Sequence, residues 1–121
     1  MDKIRVNITR EDINNGERNS NCECPMALAL RRKFSTALSL SIFHRNSVRV
    51  ETRCVFLTDK HEVKHRYSMS DNAIDFVDAF DRGDRVDINS NKRIIKPITV
   101  YLTKTEPNTF YLLVDDLLKK N

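Results

Sequence analysis

Cys22 and Cys24 stand one residue apart directly before Pro25, in the stretch SNCECPMALALRRKF at 20–34. Together with His61 and His65 they are the ligand types of a zinc site, which needs four converging N or S donors. The two histidines are four residues apart, a spacing that brings imidazoles together on a helix. The local pattern instead puts His61 in a hairpin loop and His65 on a strand. A second Cys pair at finger spacing is missing, so the sequence predicts no metal. Cys24 carries a second chemistry. At a helix N-terminus the dipole lowers a thiol pKa and favours a nucleophilic thiolate. Glu23 opposes that, and no His or Asn follows in a catalytic arrangement. Cys24 is read as a small buried hydrophobe at a helix start, and Cys54 as a core residue on the apolar face of a strand.

Other catalytic signatures are missing from the chain. It has no phosphate loop, serine elbow, H-E-x-x-H or paired-carboxylate motif, and its two glycines leave nothing to cradle a nucleotide. The expectation is a protein without catalytic residues or cofactor.

Charge offers binding instead. Arg49 and Arg53 alternate with apolar residues along 48–58, and Lys64 and Arg66 do so along 63–69. If Thr58 pairs near Val63, all four cations share one sheet face that could track phosphates. Arg31, Arg32, Lys33 and Arg45 are candidates to extend it. Phe56 and Tyr67 are expected to point the other way, which would leave this face without stacking aromatics. Acids recur at Asp71, Asp75, Asp78, Asp81, Asp84 and Asp87 with no Ca²⁺-loop pattern. They read as a solvated helix face, with Asp71, Asp75 and Asp78 as the alternative protein-binding surface.

The elements that must position these residues follow from periodicity. KIRVNIT (3–9) alternates Ile4, Val6 and Ile8 against Lys3, Arg5 and Asn7, a half-buried strand. Thr9 and Asp12 form a capping-box variant for a short helical turn ending at Gly16, expected as a left-handed cap. Pro25 suits the first position of a helix over 25–34, with buried Met26–Leu30 and cations in its last turn. Residues 38–43 alternate as a strand, and His44–Ser47 supply a turn. Residues 48–58 read as one long strand, with Val48, Val50, Thr52, Cys54 and Phe56 on one face. Residues 59–62 make a hairpin loop, and 63–69 return as a strand. Residues 70–82 read as a helix capped by Ser70 or Asp71 and ended by Gly83. Residues 84–93 read as a polar loop. A strand follows from Ile94 to Leu102, with Pro97 favouring an edge or a bend. Residues 110–118 favour a helix whose apolar stripe packs on its own sheet or on a second copy.

The chain has 121 residues, 40% hydrophobic and 31% charged, with a formal net charge of +4. That suits a single α+β domain, mostly antiparallel sheet with two or three helices. The element order contains β-α-β-β-α-β, the pattern of a ferredoxin-like core with additions. No apolar run approaches the length of a membrane span, and MDKIRVNIT lacks the apolar region of a secretory signal. An odd cysteine count suits a reducing compartment, so the expectation is a cytoplasmic protein with no membrane partner.

Three segments, IRVNITREDINNG, CPMALAL and FVDAFDRG, resemble a series found in small uncharacterised bacteriophage-encoded proteins. The matching residues are Ile4, Val6, Thr9, Glu11, Asp12, Ile13, Gly16, Cys24, Pro25, Ala27, Leu28, Ala29, Leu30, Phe76, Phe80, Asp81 and Gly83. The first strand carries one extra residue before Thr9, and residues 94–121 have no counterpart. The resemblance implies phage origin. Small phage proteins without enzyme motifs commonly block host machines, so it also implies an anti-CRISPR-like inhibitor of a host defence or nucleic-acid-processing complex. The expected partner is a host protein or ribonucleoprotein complex, reached through the basic face or the acidic helix. A nucleic-acid-binding accessory protein using the basic face is the alternative, and a thiol enzyme built on Cys24 is the least favoured.

Overall fold

A computed structural model of the chain describes residues 2–35, 43–59, 61–83 and 95–105. The first strand, β1 (Lys3–Ile8), buries Ile4, Val6 and Ile8 and exposes Lys3, Arg5 and Asn7, as its alternation requires. Thr9 then caps the single turn α1 (Arg10–Asn15) with the expected reciprocal pair. The Asp12 N–H donates to Thr9 Oγ1 at 3.2 Å, and the Thr9 N–H donates to Asp12 Oδ2 at 2.9 Å. Gly16 ends the turn with φ −72°, not in the left-handed region. Glycine is needed there for space, because a Cβ would lie 2.6 Å from the Pro25 ring.

α2 (Pro25–Phe34) starts at Pro25 as expected and buries Met26, Ala27, Ala29, Leu30 and Phe34. The segment 38–42, expected as a strand, lies outside the described residues. β2 (Phe43–Val50) runs straight through His44–Ser47, where the sequence suggests a turn. The polar residues instead fall at a register shift between Phe43 and Val48 against β3 (Cys54–Asp59). The single strand expected over 48–58 is in fact a hairpin. Glu51–Arg53 turn the chain, with the Glu51 N–H donating to the Cys54 carbonyl at 2.8 Å. The turn explains the change of parity. Val48 and Val50 face inward before it, and Val55 and Leu57 face inward after it.

β4 (Lys64–Met69) returns antiparallel to β3, pairing Thr58 with Lys64, Phe56 with Arg66 and Cys54 with Ser68. α3 (Asp71–Arg82) follows and buries Ala73, Phe76, Ala79 and Phe80. Gly83 ends it as expected, and does so in the left-handed region at φ 78°. β5 (Ile98–Lys104) begins immediately after Pro97. It is an inner strand, with β1 on one side and β4 on the other; Pro97 escapes the ladder because it precedes the first paired residue.

The result is an α+β arrangement with one five-stranded sheet in the order β1-β5-β4-β3-β2, every pair antiparallel. A ferredoxin-like sheet would place the first strand between the last and the one preceding the second long helix. Here β1 is an edge, and β5 sits directly beside β4. The expected ferredoxin-like order is therefore not the one formed. α2 packs against both β1 and β2, the opposite edges of the sheet. Five strands laid flat span about 19 Å between edge axes, and a helix is only about 10 Å wide. The sheet must curl around α2. One core of buried side chains fills the concave side, and the convex side faces solvent. Among the described residues no helix is long and apolar enough to cross a membrane. The polar loop expected over 84–93 and the helix expected over 110–118 lie outside the described residues.

Candidate nucleic-acid interface

Strand register determines which side chains share the convex face. β2 contributes Arg49, which pairs with Phe56 on β3; Phe56 pairs in turn with Arg66 on β4. β4 also places Lys64 and Ser68 there. β1 adds Lys3, Arg5 and Asn7, paired with Thr103, Tyr101 and Thr99 of β5. Every one of these alternates with an inward neighbour such as Ile4, Val55, Tyr67 or Leu102, each at most 1% exposed. The outward strand positions among the described residues thus carry Lys3, Arg5, Arg49, Lys64 and Arg66 and no acid.

Arg49, Lys64 and Arg66 are brought together on this face as the alternation suggests. Arg53 is not: it lies exposed in the β2–β3 turn, where its carbonyl accepts the Met69 N–H at 3.2 Å. Phe56 corrects a second expectation. Simple alternation along 48–58 places it on the apolar face, but the turn reverses the parity and sends it outward, half-buried between two arginines. Cys54 moves outward for the same reason and is half-buried opposite Ser68, not core. Tyr67 points inward as expected and is 1% exposed; burial pushes its phenol pKa up.

Three members were missed in the sequence. Lys3 and Arg5 were read as outward but not joined to the patch, because nothing local says that β1 enters the same sheet. Tyr101 was not singled out at all, although it stands between the inward Val100 and Leu102. It is 40% exposed, and Lys3 Nζ lies 5.0 Å from its ring centroid.

Of the candidate extensions, Arg31 and Arg32 hold ion pairs of their own. Arg31 holds Glu23 through two hydrogen bonds of 2.7 and 3.1 Å, which keep the Glu23 carboxyl below its usual range. Arg32 binds the Asp12 carboxylate and donates to the Asn7 carbonyl at 2.9 Å. Both lie on α2, on the concave side. A shallow depression at the β1 edge, lined by Arg5, Asn7, Ala29, Arg32 and Lys33, carries the positive surface round that edge. The side chain of Arg45 lies outside the described residues. Arg49 itself contacts Glu51 at 2.6 Å, an exposed pair of little strength.

The acidic alternative occupies the helix layer. Asp71, Asp75 and Asp78 are all exposed and fall at i, i+4 and i+7, one stripe along α3. Asp78 pairs with Arg82 at 3.2 Å, and Asp81 accepts the Asn19 N–H at 2.9 Å.

The cysteines do not converge. Cys22 is exposed, Cys24 buried and Cys54 half-buried, all as free thiols. Burial pushes the Cys24 thiol above its ordinary pKa, outweighing the N–H groups of Met26 and Ala27 at the helix start. That disfavours the thiolate a nucleophile needs. His65 Nε2 lies 2.8 Å from Asp59 Oδ2, and the His61 N–H donates to Asp59 Oδ1 at 2.8 Å. His61 and His65 thus flank one hairpin carboxylate, and no cluster of metal-ligand side chains occurs among the described residues. No family model, curated protein or solved structure matches this chain.

Proposed function

We propose that the protein acts by binding, and that the convex face of its sheet engages nucleic acid within a host nucleic-acid-processing or defence complex. The observation that carries this reading is the set of outward strand positions. They hold Lys3, Arg5, Arg49, Lys64 and Arg66 with no acid among the described residues, although acids make up 17 of the 121 residues. Random placement of charges would mix the signs along the strands; Glu51 in the adjoining turn meets Arg49, and the face remains predominantly cationic, which attracts a polyanion and raises its on-rate. The phage-type sequence pattern favours a host complex as the setting, and an anti-CRISPR-like inhibitor is the form that role would take.

The test is fluorescence anisotropy of labelled oligonucleotides at low salt. Affinity should fall with ionic strength with a logarithmic slope of about −3, the value for four or five phosphate contacts on a single strand. The double variant Lys64→Glu/Arg66→Glu should weaken binding at least tenfold and flatten that slope. Absence of any binding at low salt would remove the reading.

A second reading has its own observation. The exposed stripe Asp71–Asp75–Asp78 could present spaced negative charge to a basic site on a host protein, acting by mimicry of a phosphate backbone. Charge reversal on α3 that abolishes the biological effect while oligonucleotide binding persists would favour it.

A further inference from the structure

The convex face carries more than charge. Phe56 lies in register between Arg49 on β2 and Arg66 on β4. Tyr101 lies in register beside Arg5 on β1, and Lys3 extends over its ring at 5.0 Å. Each ring thus has two cations next to it, one on either neighbouring strand for Phe56, where Arg49 also meets Glu51, and both on β1 for Tyr101. By strand spacing and rise the two rings are about 16 Å apart diagonally across β3, β4 and β5. The ground between them includes Ser68 on β4 and Thr103 on β5, both polar.

Resting on the reading above, we infer that the ligand of this face is single-stranded nucleic acid, with one base stacked on Phe56 and another, several nucleotides along the same strand, on Tyr101. A duplex keeps its bases paired and stacked inside, so its phosphates would use the cations and leave the rings idle. An unpaired strand uses both, because every base has a π-face and each stack adds to the phosphate contacts. A convex surface suits this mode, since splayed bases fan outward over it while the backbone passes the flanking arginines. An acidic protein would also meet the cations, but it gives no account of the outward rings, half-buried Phe56 and exposed Tyr101, set beside them.

The chain contains no tryptophan, so Phe56→Trp and Tyr101→Trp each create a single stacking reporter on the full-length protein. Titration with oligo(dT) and with oligo(U) should quench each indole in step with the anisotropy of the labelled strand. The dT and U arms separate DNA from RNA as the preferred source. Phe56→Ala and Tyr101→Ala should each weaken single-strand binding about tenfold, with the salt slope unchanged. Duplex of the same length should bind more weakly and leave the indoles unquenched. Single-strand binding without quenching, or equal affinity for duplex, would overturn stacking and leave the polyanion face standing. No binding of any oligonucleotide at low salt would end both. Because the tryptophan variants keep a ring at each position, a folding defect in either alanine variant does not decide the outcome.

Discussion

At the scale of single residues, two carboxylates show how position changes what an acid does. Asp12 is 4% exposed and is the only buried charged side chain among the described residues. The Thr9 N–H and the Arg32 guanidinium hold it. Arg32→Gln should destabilise the fold by about 1–2 kcal/mol, since it weakens the partner of a desolvated charge whose other end is half in water. Urea unfolding followed by circular dichroism measures it; a change near zero would mean that the Thr9 cap alone suffices. Asp59 behaves differently. The His65 ring, then the N–H groups of Val63 and His61, hold its pKa at about 2 in place of the usual 3.8. The folded value lies below the unfolded one, so the stability it contributes is fully present above about pH 4. It is lost as pH falls through about 2. Asp59→Asn should therefore lower stability at pH 7, and its difference from the parent should shrink steadily below pH 4. A difference constant from pH 7 to pH 2 would contradict the hairpin role. Both the capping pair Thr9–Asp12 and the Asp59 loop could be read from neighbouring residues. The Arg32–Asp12 bond could not, because twenty residues separate the partners.

At the scale of elements, what was legible was local. β1, α2 and α3 follow their periods, and Gly83 ends α3 in the left-handed conformation that its place after the last periodic residue suggests. The hairpin at Glu51–Arg53 was hidden because Glu, Thr and Arg carry no turn chemistry. Its trace is the parity change from Val50 to Val55, visible in the sequence. A strand drawn straight through the turn puts Phe56 and Cys54 on the wrong side of the sheet. Gly16 shows the same limit from the other direction. Its place after a helical turn suggested a left-handed cap, whereas the actual requirement is contact with Pro25, a neighbour brought close by the loop between α1 and α2. Gly16→Ala should cost about 1–3 kcal/mol, because a rigid ring and its backbone nitrogen must shift. Gly83→Ala should cost about 1 kcal/mol for its φ of 78°, since the atom it would meet is the mobile end of Arg18. Thermal unfolding of the two variants should rank Gly16→Ala as the more damaging. The reverse order would restore backbone conformation as the reason for glycine at 16.

At the scale of the whole molecule, strand order and curl decide the site, and neither is a local property. Lys3 and Arg5 join Arg49 and Arg66 on one surface only because β5 pairs with β1 on one side and β4 on the other. The surface is convex only because α2 holds both edges. Leu30, fully buried on α2, is the natural probe of that arrangement. Leu30→Ala should cost about 2–5 kcal/mol, the range for a buried leucine whose surroundings cannot fully collapse. Against a total stability of about 5–15 kcal/mol this is a large fraction. Hydrogen exchange adds what the unfolding curve does not separate. With the helix loosened, amides of β1 and β2 should gain exchange before those of the inner strands β4 and β5, because the two edges rely on α2 while the inner strands keep neighbours on both sides. Uniform loss of protection across all five strands would mean that the sheet keeps its curl through its own pairing and twist, and that α2 merely fills the space inside it.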